Sequence, residues 1–122
     1  MSGIRFDFVN KLVIRQGIVP QSISGATVLG TGIDCVDLIS NLGLYVEVGA
    51  NGTSVDCKLQ ESDLLASGYA DFAIPAAIVQ ITAASKNQTI RALRSKRFVR
   101  VSITTVGVCV VSASVLGFLH AQ

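Results

Sequence analysis

Residues 101–119, VSITTVGVCVVSASVLGFL, run for 19 residues without a charge. Such a run either crosses a membrane as one helix or lies in a sheet as strands, and the two outcomes put the chain in different classes. About 20 apolar residues span a bilayer as a helix. Arg91, Arg94, Lys96, Arg97 and Arg100 precede the run, as a cytoplasmic flank would. Against a helix, nine of the 19 residues are Val, Ile or Thr. β-Branched side chains lose χ1 freedom in a helix and pack well on a pleated sheet. The run also continues RFVRV, which already alternates, and Gly107 sits where a tight turn would divide it. A span would leave the strands before it without a partner sheet. The reading is therefore two long strands, the second buried on both faces. A single span at 101–119, in a small membrane protein, is the alternative.

Alternation extends upstream. Leu44, Val46 and Val48 alternate with Tyr45 and Glu47, and Val55, Cys57 and Leu59 with Asp56, Lys58 and Gln60. Asn51-Gly52 between these runs is a hairpin signal. Ile90 and Ala92, then Val99, Val101 and Ile103, give further inward faces, with a turn at Ser95-Lys96. Between them the sequence reads as a loop or short helix at 62–67, short strands at 69–72 and 77–82, and a turn at 85–87. Seven or eight strands with glycine-rich turns predict an all-β fold, an antiparallel β-sandwich of jelly-roll type, over residues 33–122.

Residues 1–32 read differently. Gly17, Pro20, Gly25, Gly30 and Gly32 interrupt them too often for a regular element. They are expected to form an extended N-terminal arm whose Phe6, Phe8, Leu12, Val13, Ile14, Ile18 and Val19 contact a neighbouring subunit or surface. Deleting residues 1–20 is then expected to leave the sandwich folded.

Chemistry is sparse. Half of the 122 residues are apolar and only 15% are charged, which excludes a disordered chain and leaves apolar surface to cover in an oligomer. A net charge of +2 does not mark a nucleic-acid binder. The basic group Arg91, Arg94, Lys96, Arg97 and Arg100, beside Phe98, has the ingredients of a single-strand platform. It reads instead as a patch facing solvent or protein. Cys35, Cys57 and Cys109 show no metal or disulfide spacing and are expected as reduced core residues. That fits a reducing cytoplasm, and no secretion signal opens the chain. His120 stands almost at the C-terminus, without a motif that would make it a base. Asp34 and Asp37 lack the dense acidic run of a calcium loop. Glu61 and Asp63 read as a solvated strand end, and the GTG at 30–32 lacks the frame of a phosphate loop. The expectation is no enzyme: no catalytic residue, no cofactor and no metal.

CKLQESDLLASGYADF (57–72) and SKRFVRVSITTVG (95–107), preceded by GIDCVDLIS (32–40), resemble a group of small tailed-bacteriophage virion proteins. Their pattern is K-L-Q-E-S-D, a Gly/Ser turn, an aromatic and an Asp, then K-R-F/Y-V-R-V. The resemblance covers about residues 32–112. Leu64-Leu65 departs from it, standing where the group is acidic and glycine-rich. What the resemblance implies is a capsid cement or decoration protein, assembled in the host cytoplasm and located in the virion. Its implied partners are the major capsid protein and copies of itself, as a trimer, with no nucleic acid and no membrane. A tail, neck or head-fibre component is the alternative within the virion. A sugar-binding sandwich would need more aromatic residues than this chain has.

Overall fold

Along residues 42–48, 55–61, 99–105 and 109–117 every second residue is buried, as the alternation requires. The structure, a computed structural model, describes residues 11–73 and 78–120, without the side chain of Ile78. All its elements are strands: β1 (Leu12–Ser24), β2 (Thr27–Leu29), β3 (Ile33–Asp34), β4 (Leu38–Ala50) and β5 (Ser54–Ser62). After them come β6 (Ala70–Asp71), β7 (Ile78–Ile81), β8 (Lys86–Leu93), β9 (Phe98–Val106) and β10 (Val108–Leu119). They form two antiparallel sheets. The first runs β1-β10-β4-β8; the second is built on β9 and β5, with β2 and β3 along the far side of β9 and β6 and β7 along the far side of β5.

The two sheets enclose one core. Leu44, Val46 and Val48 of β4 and Val111, Ala113 and Val115 of β10 face Val55, Cys57 and Leu59 of β5 and Val99, Val101 and Ile103 of β9. The inward faces read from alternation are thus the core faces of a β-sandwich. The 101–119 run is two strands divided at Gly107. Among the described residues, no helix is long and apolar enough to cross a membrane. The alternative of a helical span at 101–119 is therefore set aside. The second of these strands is buried on one face only: Val108 and Val110 are exposed and Leu116 and Phe118 half-buried.

One local expectation needs correction. Asn51-Gly52 does not close a hairpin, because β4 pairs with β10 and β8 while β5 pairs with β6, β7 and β9. The turn carries the chain from one sheet to the other, so Val46 and Val48 meet Val55 and Cys57 across the core instead of beside them. Gly107 does the same between β9 and β10. Its φ of +79° suits glycine, and a Cβ placed on Gly52 would come within 2.8 Å of the Gly107 Cα, so the two crossings pack backbone to backbone. Of the two readings for 62–67 the loop holds: Ser62 closes β5 and residues 63–67 are irregular.

The largest correction concerns the arm. Residues 12–24 are β1, an edge strand paired along its length with β10, and residues 27–29 are β2, an edge of the second sheet. No domain boundary falls at 32/33; residues 1–10, with Phe6 and Phe8, lie outside the described residues. The breakers that argued against a strand are what let β1 bend. The register shifts between Gln16 and Ile18 and again before Gln21, the habit of bulges on edge strands. Pro20, with no N–H to donate, sits inside this irregularity. Gly17 faces inward, where a Cβ would lie 2.3 Å from Val101 Cγ2 of the opposite sheet.

Candidate interaction surface

The residues expected in the arm separate according to face. Ile18 is 2% exposed and belongs to the core, and Val13 packs against the core. Leu12, Ile14 and Val19 point outward, Ile14 being 65% exposed. Leu12 lies opposite Phe118, and Ile14 opposite Leu116, which in turn lies opposite Gly43 and, one strand further, Arg91. One end of the outer face of the first sheet is therefore apolar. At its centre is a hollow of about 430 Å³, lined by Leu12, Leu42, Ile90, Leu116 and Phe118, with Asn41, Thr89 and Arg91 among the polar residues around it. Gly43 keeps it open: a Cβ there would rest 3.4 Å from Leu116 Cβ, in space no side chain now uses.

The outer face of the second sheet is different. Lys58 pairs with Asp71 at 3.1 Å, Gln60 donates to Asp71 at 2.8 Å, and Gln80 donates to Asp56 at 2.8 Å. Arg100 donates to Gln60 at 2.8 Å and stacks 4.4 Å over the Tyr69 ring. That face is a solvated polar network.

The expected basic patch is divided among separate tasks. Arg94 donates to the carbonyls of Leu38 (2.6 Å) and Lys96 (3.1 Å) and so ties β4 to the β8–β9 turn. Arg97 grips Asp34 at 3.0 and 2.7 Å and lies 4.9 Å from the centre of the Phe98 ring. Lys96 approaches Asp63 at 3.8 Å. Arg100 belongs to the second sheet, while Arg91 lines the hollow on the first and has no partner among the described residues.

The carboxylates are engaged in structure. Asp34 meets Arg97 and Asp37 meets Arg15, so neither faces the other as a calcium pair would. Glu61 is not at a solvated strand end: it is 6% exposed and accepts from the Ser95 N–H (2.7 Å), the Ser95 hydroxyl (2.9 Å) and the Lys96 N–H (3.1 Å). Asp63 is exposed. His120 is exposed, and its backbone N–H donates to the Asp37 carbonyl. All three cysteines are buried and unpaired. Burial pushes the Cys35 thiol up to about 11 and the Cys57 thiol up to about 12.

Sequence reasoning missed Leu116, Phe118 and Gly43. A signal was present: the outward set of β10 is Ser112 and Ser114 in its middle but Leu116 and Phe118 near its end. Alternation that turns apolar on both faces marks a strand end covered on both sides.

No protein-family model and no curated protein matches the chain. Solved structures share its fold. The PBSX exported protein XepA superposes with a TM-score of 0.61 at 16% identity over 90% of this chain, which spans 37% of that protein's length. The SPBc2 prophage-derived protein YomS matches with a TM-score of 0.51 at 10% identity, over 86% of this chain and 92% of that one. A subunit of Bacillus endospore appendages, described as a novel family of disulfide-linked pili, matches with a TM-score of 0.51 at 10% identity over 99% of this chain and 100% of that one.

Proposed function

We propose that this chain is a structural virion protein of a tailed bacteriophage, a cement or decoration protein that binds the outer surface of the major capsid shell and stabilises it. The observation that carries the proposal is the asymmetry of the two outer faces, one a closed polar network and the other apolar at one end. A sandwich of this kind contributes by covering surface between subunits. The prophage-derived protein YomS, with the same fold, supports a phage origin, as does the resemblance of residues 57–72 and 95–107 to tailed-phage virion proteins. The protein acts as a homo-oligomer, a trimer at three-fold positions, which gives the apolar end a partner.

Co-sedimentation of the purified protein with capsids lacking it tests the proposal. Saturable binding, with raised thermal stability of the shell, is the expected result. Binding to tails or necks, and none to shells, would overturn it in favour of a tail, neck or head-fibre component. That second reading draws support from the appendage subunit, whose fold this chain shares over its whole length. A disulfide-linked filament is disfavoured, because Cys35, Cys57 and Cys109 are all buried.

A further inference from the structure

We propose that β8 pairs antiparallel with β8 of a second copy of this chain, across a two-fold axis at Thr89, so that two first sheets become one. The inference goes beyond the reading above by adding a two-fold contact between copies to the three-fold one. It starts from the sheet edges. An edge strand presents unpaired N–H and C=O groups to any other strand, and proteins blunt edges that are not used. In the second sheet β2, β3, β6 and β7 have at most four residues each. In the first sheet β1 is long, but it carries Pro20 and two register shifts. β8 has none of these protections. Its eight residues, KNQTIRAL, include no glycine or proline, and they pair with β4 from Asn41–Leu93 to Val48–Lys86 without a shift. Among the described residues no strand pairs with its other side, and six of its eight residues are exposed.

Self-complementarity argues for a second copy over a foreign strand. About a two-fold axis, antiparallel strands set residues of the same face directly opposite each other. With the axis at Thr89, Asn87 of each copy meets Arg91 of the other, and Thr89 meets its own counterpart. These three residues share the outer face with Glu47, Gly43 and Tyr45, their partners on β4. An Asn amide oxygen accepts from a guanidinium, and a Thr hydroxyl both donates and accepts; cross-strand pairs of this kind stabilise a sheet. Lys86 meets Ala92, so neither cation of the strand opposes a like charge. An axis at Ile90 sets Lys86 against Arg94, and an axis at Arg91 sets two guanidiniums against each other. Like charges directly opposite are destabilising, which selects the register at Thr89.

Cross-linking with a short bis-maleimide tests this on full-length protein. Thr89→Cys, Asn87→Cys and Arg91→Cys are made as separate proteins and checked for strand content by circular dichroism. All three positions are exposed and the native cysteines are buried, so the new thiols are the accessible ones. Thr89→Cys should be joined to itself. Asn87→Cys should be joined to Arg91→Cys in a mixture, and neither to itself, because like positions then lie four residues apart along the strand, about 14 Å. Adding Thr89→Lys to both members of the mixture brings like charges together on the axis and should lower the yield about tenfold. Equal yields for mixed and like pairs would show random collision and overturn the inference. So would the absence of any cross-link in folded protein at about 1 mM, the range of weak association. Cross-linking to shell subunits alone, when capsids are present, would give the edge to a foreign strand and overturn it too. Capsid binding without the cross-link sinks this inference alone; the cross-link without capsid binding sinks the cement reading alone.

Discussion

The Arg15 guanidinium holds the Asp37 carboxylate at two points, Nη1 to Oδ1 at 3.0 Å and Nη2 to Oδ2 at 2.8 Å. Arg15 also donates to the Asp34 carbonyl, and the Asp34 side chain accepts from Arg97. The chain of contacts runs from β1 on the edge of the first sheet to β3 and the β9 end of the second. It fastens the two sheets at the end away from the glycine crossings.

This fastening predicts an acid sensitivity. The Arg97 hydrogen bond, with the Val36 N–H, lowers Asp34 from its ordinary 3.8 to about 2, and the Arg15 hydrogen bond lowers Asp37. A carboxylate with a depressed folded-state pKa contributes fully above its unfolded value, and the contribution is lost as pH falls through the folded one. The urea midpoint should therefore decline between pH 3.8 and about 2. Asp34→Asn and Asp37→Asn should each flatten that decline and shift the neutral-pH midpoint little, since exposed pairs add little. An unaltered slope in the double variant would show the fastening to be inert.

Removal of residues 1–10 is expected to leave the fold intact, with a strand-dominated circular dichroism spectrum and a cooperative melt. Removal of residues 1–20 should abolish the cooperative melt. It deletes most of β1, takes Ile18 from the core and turns β10 into an exposed edge. A cooperative melt after the longer deletion would return this segment to the status of an arm.

Glu61→Ala leaves the Ser95 and Lys96 N–H groups without their acceptor, and about 1–3 kcal/mol of stability should be lost. Glu61→Gln keeps an acceptor oxygen and should lose less. Denaturant unfolding of both variants measures the difference; equal losses would mean that the acceptor oxygens do not matter.

Cys57→Ser puts a hydroxyl into an apolar site without an assured partner and should destabilise by about 1–3 kcal/mol. In the native wild-type protein thiol reagents should react slowly, because burial raises the Cys57 and Cys35 thiols to about 12 and about 11. After denaturation three free thiols should be counted. Rapid native labelling would contradict the burial.

Alternation made the inward faces of β4, β5 and β9 legible, because a face that must be dry imposes a period of two on the sequence. It could not reveal which strands are neighbours. Val48 and Val55 show the same pattern whether they lie beside each other in one sheet or opposite each other across the core. Asn51-Gly52 announces a reversal and says nothing about which sheet receives the returning strand. Gly17 and Pro20 read as breakers because their context, an edge strand bulging over Val101, is created by residues distant in sequence. Glu61 looked solvated because its three donors come from a turn more than thirty residues later. The apolar end of the outer face was half legible: Leu12 and Ile14 stood out, but Leu116 and Phe118 join them only through the β1–β10 pairing.

That pairing sets the first strand against the last. β10 lies between β1 and β4, so until its 12 residues exist the first sheet has a gap through its middle and two strands with no hydrogen-bonding partner on that side. Contacts this distant in sequence form slowly. A chain still being synthesised therefore cannot settle by halves. It remains open, with β1 unsheltered, until β10 has been added.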